Sequence, residues 1–231
     1  MKILIPQLCW GEWNWKMKKE QKSEIKILEK SLAKTLRMVT SQYNYKIVAN
    51  CIYKGLGEFF THAVFFVRVV DGDFKLVVRH YIKTYEEDNL FWTIFKMPDN
   101  INQRESLRAN GAFVVQSIQI AESQYTITIN SDLDSISKTV LEEFEIKYGK
   151  FLESINFSHE KYYQYILHKV NFLSEKLKKM LAYILLNESD KALCLAKAEI
   201  EKGNRGGYQN DGKDIYQYIV DYCKNHSLKM S

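Results

Sequence analysis

The sequence predicts an α+β fold: an N-terminal helix, a five-stranded, mainly antiparallel sheet built from hairpins, and a helical C-terminal third. Three observations carry this reading. Apolar residues recur every three or four positions near the N-terminus and again after residue 131, the period of an amphipathic helix. Between these regions, runs of β-branched and aromatic residues are separated by Gly-containing turns, the pattern of short antiparallel strands. Nothing follows the βαβ rhythm of a parallel nucleotide-binding sheet. Of 231 residues, 46% are apolar and 13% aromatic, with ten Gly and two Pro. That is enough apolar surface to offset the entropy of ordering the chain, so disorder and low-complexity classes are excluded. Residues 1–153 are read as the sheet domain. Residues 154–231 are read as a helical segment that packs on it or forms a small subdomain.

In chain order, Ile25, Leu28, Leu32, Leu36 and Val39 form the stripe of a helix over 18–39. Residues 45–54 alternate, with Tyr45, Ile47, Ala49, Cys51 and Tyr53 on one parity, and Gly55-Leu56-Gly57 ends this strand. The runs 59–70 and 74–85 flank Asp71-Gly72-Asp73. An Asp-Gly pair between apolar runs is a hairpin signal, because Gly accepts a positive φ. Glu86, Glu87 and Asp88 then open a short helix carrying Leu90, Phe91, Ile94 and Phe95, which stops before Pro98. Residues 99–110 read as a loop, and 111–120 with 124–130 as a second hairpin. Helical periodicity returns at Val140, Leu141, Phe144, Tyr148 and Phe151. Further helices are expected over 158–186, with a kink or break, over 190–202 ending at Gly203, and over 214–225.

The formal net charge of +5 is unevenly spread: +7 over residues 1–56, −5 over 57–153 and +3 over 154–231. Within the first helix, Lys18, Lys22, Lys26, Lys30 and Lys34 repeat every fourth residue. Such a row suits an acidic protein partner or phosphates, or else is the solvated back of the helix. With one arginine and no interleaved aromatic residue, it lacks the means for base recognition or stacking. Trp10 and Trp13, near Trp15, are candidate partner anchors or a cover for an open side of the sheet.

A candidate polar site comprises His80, Asp88, Trp92, Arg104, Arg108 and Asn110. Its core expectation is that Arg104 or Arg108 pairs with an acidic group, either Asp88 in an internal brace or a ligand carboxylate. His80 on its strand is weighed as an acid/base residue against an ordinary packed histidine.

No nucleophile elbow, phosphate-binding loop or zinc-ligand spacing is present, and Cys9, Cys51, Cys194 and Cys223 are scattered. No metal or cofactor is expected. The opening residues lack a signal-peptide core and no run is long enough to span a bilayer, so a soluble cytoplasmic chain with no membrane partner is expected. The reading is a non-catalytic protein-binding module, of the inhibitor, immunity-protein or adaptor kind, that engages a charged protein partner. Two alternatives stand beside it: a small-ligand enzyme with a polar site near residues 80–110, and a nucleic-acid binder using the Lys-rich helix.

Overall fold

A computed structural model of the chain describes residues 19–169 and 176–227. Lys18, Trp10 and Trp13 lie outside the described residues. The elements are α1 (Lys19–Thr40), β1 (Lys46–Val48), β2 (Cys51–Leu56), β3 (Phe59–Val70), β4 (Asp73–Thr84), α2 (Tyr85–Ile94), α3 (Ser106–Asn110) and β5 (Ile118–Ile127). There follow α4 (Leu133–Ser154), α5 (His159–Lys169), α6 (Lys176–Leu185), α7 (Ser189–Glu201), β6 (Gln209–Asn210), β7 (Lys213–Asp214) and α8 (Ile215–Ser227). The fold is α+β, with the five strands β1 to β5 adjacent in sequence order in one antiparallel sheet.

The described residues divide into two compact units. The first takes those up to 54 with 61–81 and 119–148; the second takes 55–60, 82–118 and those from 149 onward. In the first unit, α1 buries Leu28, Leu32, Leu36 and Val39, the predicted stripe. The next helix, α4, buries Val140, Leu141, Phe144 and Tyr148. The Tyr148 hydroxyl donates to the His62 carbonyl at 2.6 Å and accepts from the Tyr81 N–H at 3.0 Å, tying the helix to two strands. Since β2 has six residues and β3 twelve, part of β3 extends past its neighbour. There the Glu29 carboxylate of α1 accepts the Val67 N–H at 3.0 Å, filling the place of a missing strand.

The sheet has the expected five strands, but two are placed differently. The expected strand over 45–54 folds back on itself: Ala49 takes φ 49°, and Lys46, Ile47 and Val48 pair with Tyr53, Ile52 and Cys51. The expected hairpin over 111–130 is instead a single strand, β5, preceded by an extended segment outside the sheet. These two differences cancel in the count. The loop expected over 99–110 contains a 3-10 turn at Pro98–Asn102 and the short α3.

In the second unit, Phe91 and Trp92 of α2 and Phe95 just after it share a core with Met180 and Leu181 of α6, Ala192 and Ala196 of α7, and Ile215 and Ile219 of α8. Gly203 ends α7 at φ 75°, as expected, with Asn204 N–H bonded back to the Glu199 carbonyl at 2.9 Å. The stretch after it, expected as a plain turn, carries the small β6–β7 hairpin.

The β3–β4 turn matches its sequence signal: Asp71 and Gly72 both take positive φ, 53° and 90°. Gly72→Val is expected to cost roughly 1–3 kcal/mol through backbone strain alone, since the space around the position is open. Gly72→Asn, which tolerates this region, is expected to cost clearly less in the same urea-unfolding measurement.

Candidate functional site

The end of β4 carries Ile82, Lys83 and Thr84 in succession, all fully buried. Thr84 caps α2 by a reciprocal box. Its hydroxyl accepts the Glu87 N–H at 3.1 Å, and the Glu87 carboxylate accepts the Thr84 N–H at 3.0 Å. This fixes the first turn of α2 and aims Asp88 inward, where it is wholly buried.

A buried carboxylate must be paired and hydrogen-bonded. Asp88 Oδ1 accepts from Lys83 Nζ at 3.0 Å and from the Val115 N–H at 2.9 Å. Its Oδ2 lies 2.9 Å from Lys83 Nζ and 3.2 Å from Arg108 Nη1. Arg108 also donates to the Tyr85 carbonyl at 3.2 Å and to Asn89 Oδ1 at 2.7 Å. Its guanidinium faces the rings of Trp92 (4.6 Å to the centroid) and Tyr85 (4.9 Å), so its faces and its edge are both engaged. A second carboxylate continues the cluster. Glu87 lies 2.6 Å from Lys178 Nζ of α6 and accepts from the Tyr162 hydroxyl at 3.0 Å.

The segment between α3 and β5 is held by this cluster. Four successive carbonyls accept side-chain donors: Phe113 from Trp92 Nε1 (2.6 Å), Val114 from the Tyr208 hydroxyl (2.8 Å), Val115 from Lys83 (3.1 Å) and Gln116 from Lys178 (3.0 Å). The apolar residues here predict a strand, but its acceptors are taken by side chains and no ladder forms. Asn110 ends α3 and Gly111 follows it. Gly111 takes φ −78°, and its lack of a side chain lets the Leu107 carbonyl approach, since a Cβ would sit 2.4 Å from that oxygen.

Among the sequence-predicted residues, the structure thus brings together Asp88, Trp92 and Arg108. Arg104 and Asn110 are exposed. His80 belongs to the first unit: its Nε2 is 3.4 Å from Ser123 Oγ, which donates to Glu143 Oε2 at 2.6 Å. The Nδ1 of His80 is buried without a hydrogen-bond partner, so no carboxylate orients the ring as an acid/base pair with Ser123 requires. Sequence reading missed Lys83, Glu87, Lys178 and Tyr162. The Thr84-x-x-Glu87 spacing is a capping-box signature that would have placed Glu87. Lys178 sits in the Lys-rich start of α6 beside Lys176 and Lys179, and nothing in the sequence singles it out as the buried one.

Chemically, the cluster is closed. Burial pushes the Lys83 ammonium below its ordinary pKa, with Asp88 opposing and Lys178 adding to the shift. A depressed lysine can serve as a nucleophile, but this one has no exposed surface and its donors are spent on Asp88 and Val115. A shallow cleft of about 330 Å³ beside Tyr218 and Tyr222 has Lys96, Lys224 and Asp221 on its rim, and Asp221 is paired with Lys213. Among the described residues, no three His, Cys, Asp or Glu side chains form a metal-binding group, and no helix is long and apolar enough to cross a membrane. Comparison with protein-family models, curated proteins and solved structures gives no match to this chain.

Removing Asp88 leaves two buried cations unbalanced. Asp88→Ala is expected to cost about 3–5 kcal/mol in urea unfolding, and adding Lys83→Met to recover part of that loss. His80 gives a pH signature. Burial, with Lys147 adding and Glu143 opposing, pushes its pKa down to about 4. The unfolded chain then takes up the proton first as pH falls. Stability contributed by neutral His80 is present above about pH 6.5 and lost toward pH 4, a total of about 3 kcal/mol. His80→Gln is expected to remove that part of the slope when unfolding free energies at pH 7 and pH 4.5 are compared.

Proposed function

We propose that this protein is a non-catalytic binding module of a reducing, cytoplasmic setting that engages an acidic surface of a partner protein through the outer face of α1. The observation that carries this reading is the state of the cations on that face. Lys26, Lys30, Lys34 and Arg37 are exposed, Lys22 is half-buried, and none of them has an ion-pair partner among the described residues. Like charges four residues apart repel by a few tenths of a kcal/mol each, about 0.2–0.5, a cost that an acidic partner relieves. Two apolar side chains on the same helix stand in solvent beside them, Ile27 at 52% and Met38 at 62% exposure. A cationic row with apolar contacts suits a folded protein surface better than a phosphate backbone alone. The Glu29 carboxylate, which could neutralise the row, is held on the backbone of β3. The closed Asp88 cluster supports the non-catalytic part of the reading, and the exposed thiol of Cys194 suits a reducing compartment.

The triple reversal Lys26→Glu, Lys30→Glu, Lys34→Glu tests this. All three positions are exposed, so unfolding free energy is expected to stay within about 0.5 kcal/mol of the parent. Capture of the partner from the native cell at physiological salt is expected to be lost, and the parent's capture to weaken as salt rises. The same partner recovered at undiminished yield would remove α1 as the surface. Steeply salt-dependent retardation of DNA or RNA by the parent chain would put the nucleic-acid reading in its place.

A further inference from the structure

The two edges of the sheet are treated differently. At one edge, β1 is only three residues long, and the overhang of β3 is covered by Glu29. A very short edge strand and a covered edge are standard protections against pairing with another chain. At the other edge, β5 runs ten residues, Ile118–Ile127, and among the described residues it has neither device. It contains no Lys, Arg, Pro or Gly. Its one charged residue, Glu122, is paired with Arg79 at 2.9 Å and Arg68 at 3.8 Å. Gln119, Gln124 and Thr126 are exposed along it. Alternate residues of an edge strand direct both N–H and C=O away from the sheet, so β5 offers a row of backbone partners.

We propose that this edge is a self-association site, at which two copies pair β5 against β5 in antiparallel fashion about Ser123 and join their sheets into one. The sequence of β5 is compatible with a second copy of itself, excludes the register centred on Glu122 and favours the one centred on Ser123. A two-fold axis perpendicular to the sheet keeps each face on its own side, so directly opposed residues share parity. Centred on Glu122, the pairing sets two carboxylates against each other. Centred on Ser123, it sets Glu122 opposite Gln124 of the second copy, twice, and Ile120 opposite Thr126. Gln124 Nε2 already donates to Glu122 Oε1 at 2.7 Å within its own strand, so an amide at this position suits that carboxylate. Two arginines against one carboxylate leave this part of the edge with a small positive excess, and in the register centred on Ser123 its own sequence meets it without opposing the two Glu122 carboxylates.

The test uses the full chain in analytical ultracentrifugation over a wide concentration range, with Gln124→Glu and Gln124→Lys beside the parent. A reversible monomer–dimer equilibrium is expected. Gln124→Glu sets two new carboxylates opposite the two Glu122 residues and is expected to raise the dimer Kd about tenfold, while Gln124→Lys lowers it by a similar factor. Position 124 is exposed, so changing its bond to Glu122 within the strand is expected to move unfolding of the dilute monomer by no more than about 1 kcal/mol in either variant. Amides within 118–127 are expected to exchange more slowly as concentration rises. Three results would overturn the proposal: a chain monomeric at every concentration, a dimer whose Kd does not move in opposite directions in the two variants, or a dimer formed without added protection of β5.

Discussion

The second unit depends on a negative charge placed where water cannot reach it. Burying an isolated carboxylate costs several kcal/mol, comparable to the whole net stability of a domain, so Asp88 requires its partners to be present together. Those partners come from β4 (Lys83), α3 (Arg108) and the segment after it (Val115 N–H), which fixes three pieces of chain around the first turn of α2. Glu87, one residue earlier, caps that turn and in doing so requires Lys178 from α6. Buried ion pairs add little net stability over an apolar core of equal volume. Their contribution here is geometric: two adjacent paired carboxylates fix the rotation of α2 about its own axis through directional bonds, which apolar contacts do not provide.

In the first unit, acids are used in another way. Glu29 serves a strand backbone, Glu143 a serine, and Glu145 a tyrosine and a lysine. The negative charge that a count assigns to the sheet region is therefore largely committed to local bonds. The cations on the outer face of α1 have no such commitment. The net charge of this protein is thus a poor guide to its surface, and the distribution of unspent charge is a better one.

Much of the fold was legible because the determining signals are local. The stripe of α1, the Asp71-Gly72 turn, the acid-led start of α2 and the Gly203 stop each depend on residues a few positions apart. A brace onto Asp88 was visible as one of two alternatives, but the sequence did not choose between Arg104 and Arg108 as its cation. What escaped was set by distant partners. Val114 and Val115 look like strand residues, but Tyr208 and Lys178, which hold the Val114 and Gln116 carbonyls, lie 94 and 62 positions from their acceptors. Lys83 shares parity with half-exposed Arg79 and Tyr81, and alternation gives no hint that it is wholly buried.

The side-chain-held segment at 113–116 also orders events during synthesis. Its carbonyls leave the ribosome well before the donors that bind two of them, and Asp88 and Arg108 emerge with it. The first unit has its last residue at Tyr148, so its strands and α4 are complete while the second unit still lacks α6, α7 and α8. Until Tyr208 arrives, the segment must keep its oxygens on water and its valines off the core. Closure of the second unit is then a late, concerted step, in which a hydrated stretch of backbone exchanges solvent for four side chains from four different places.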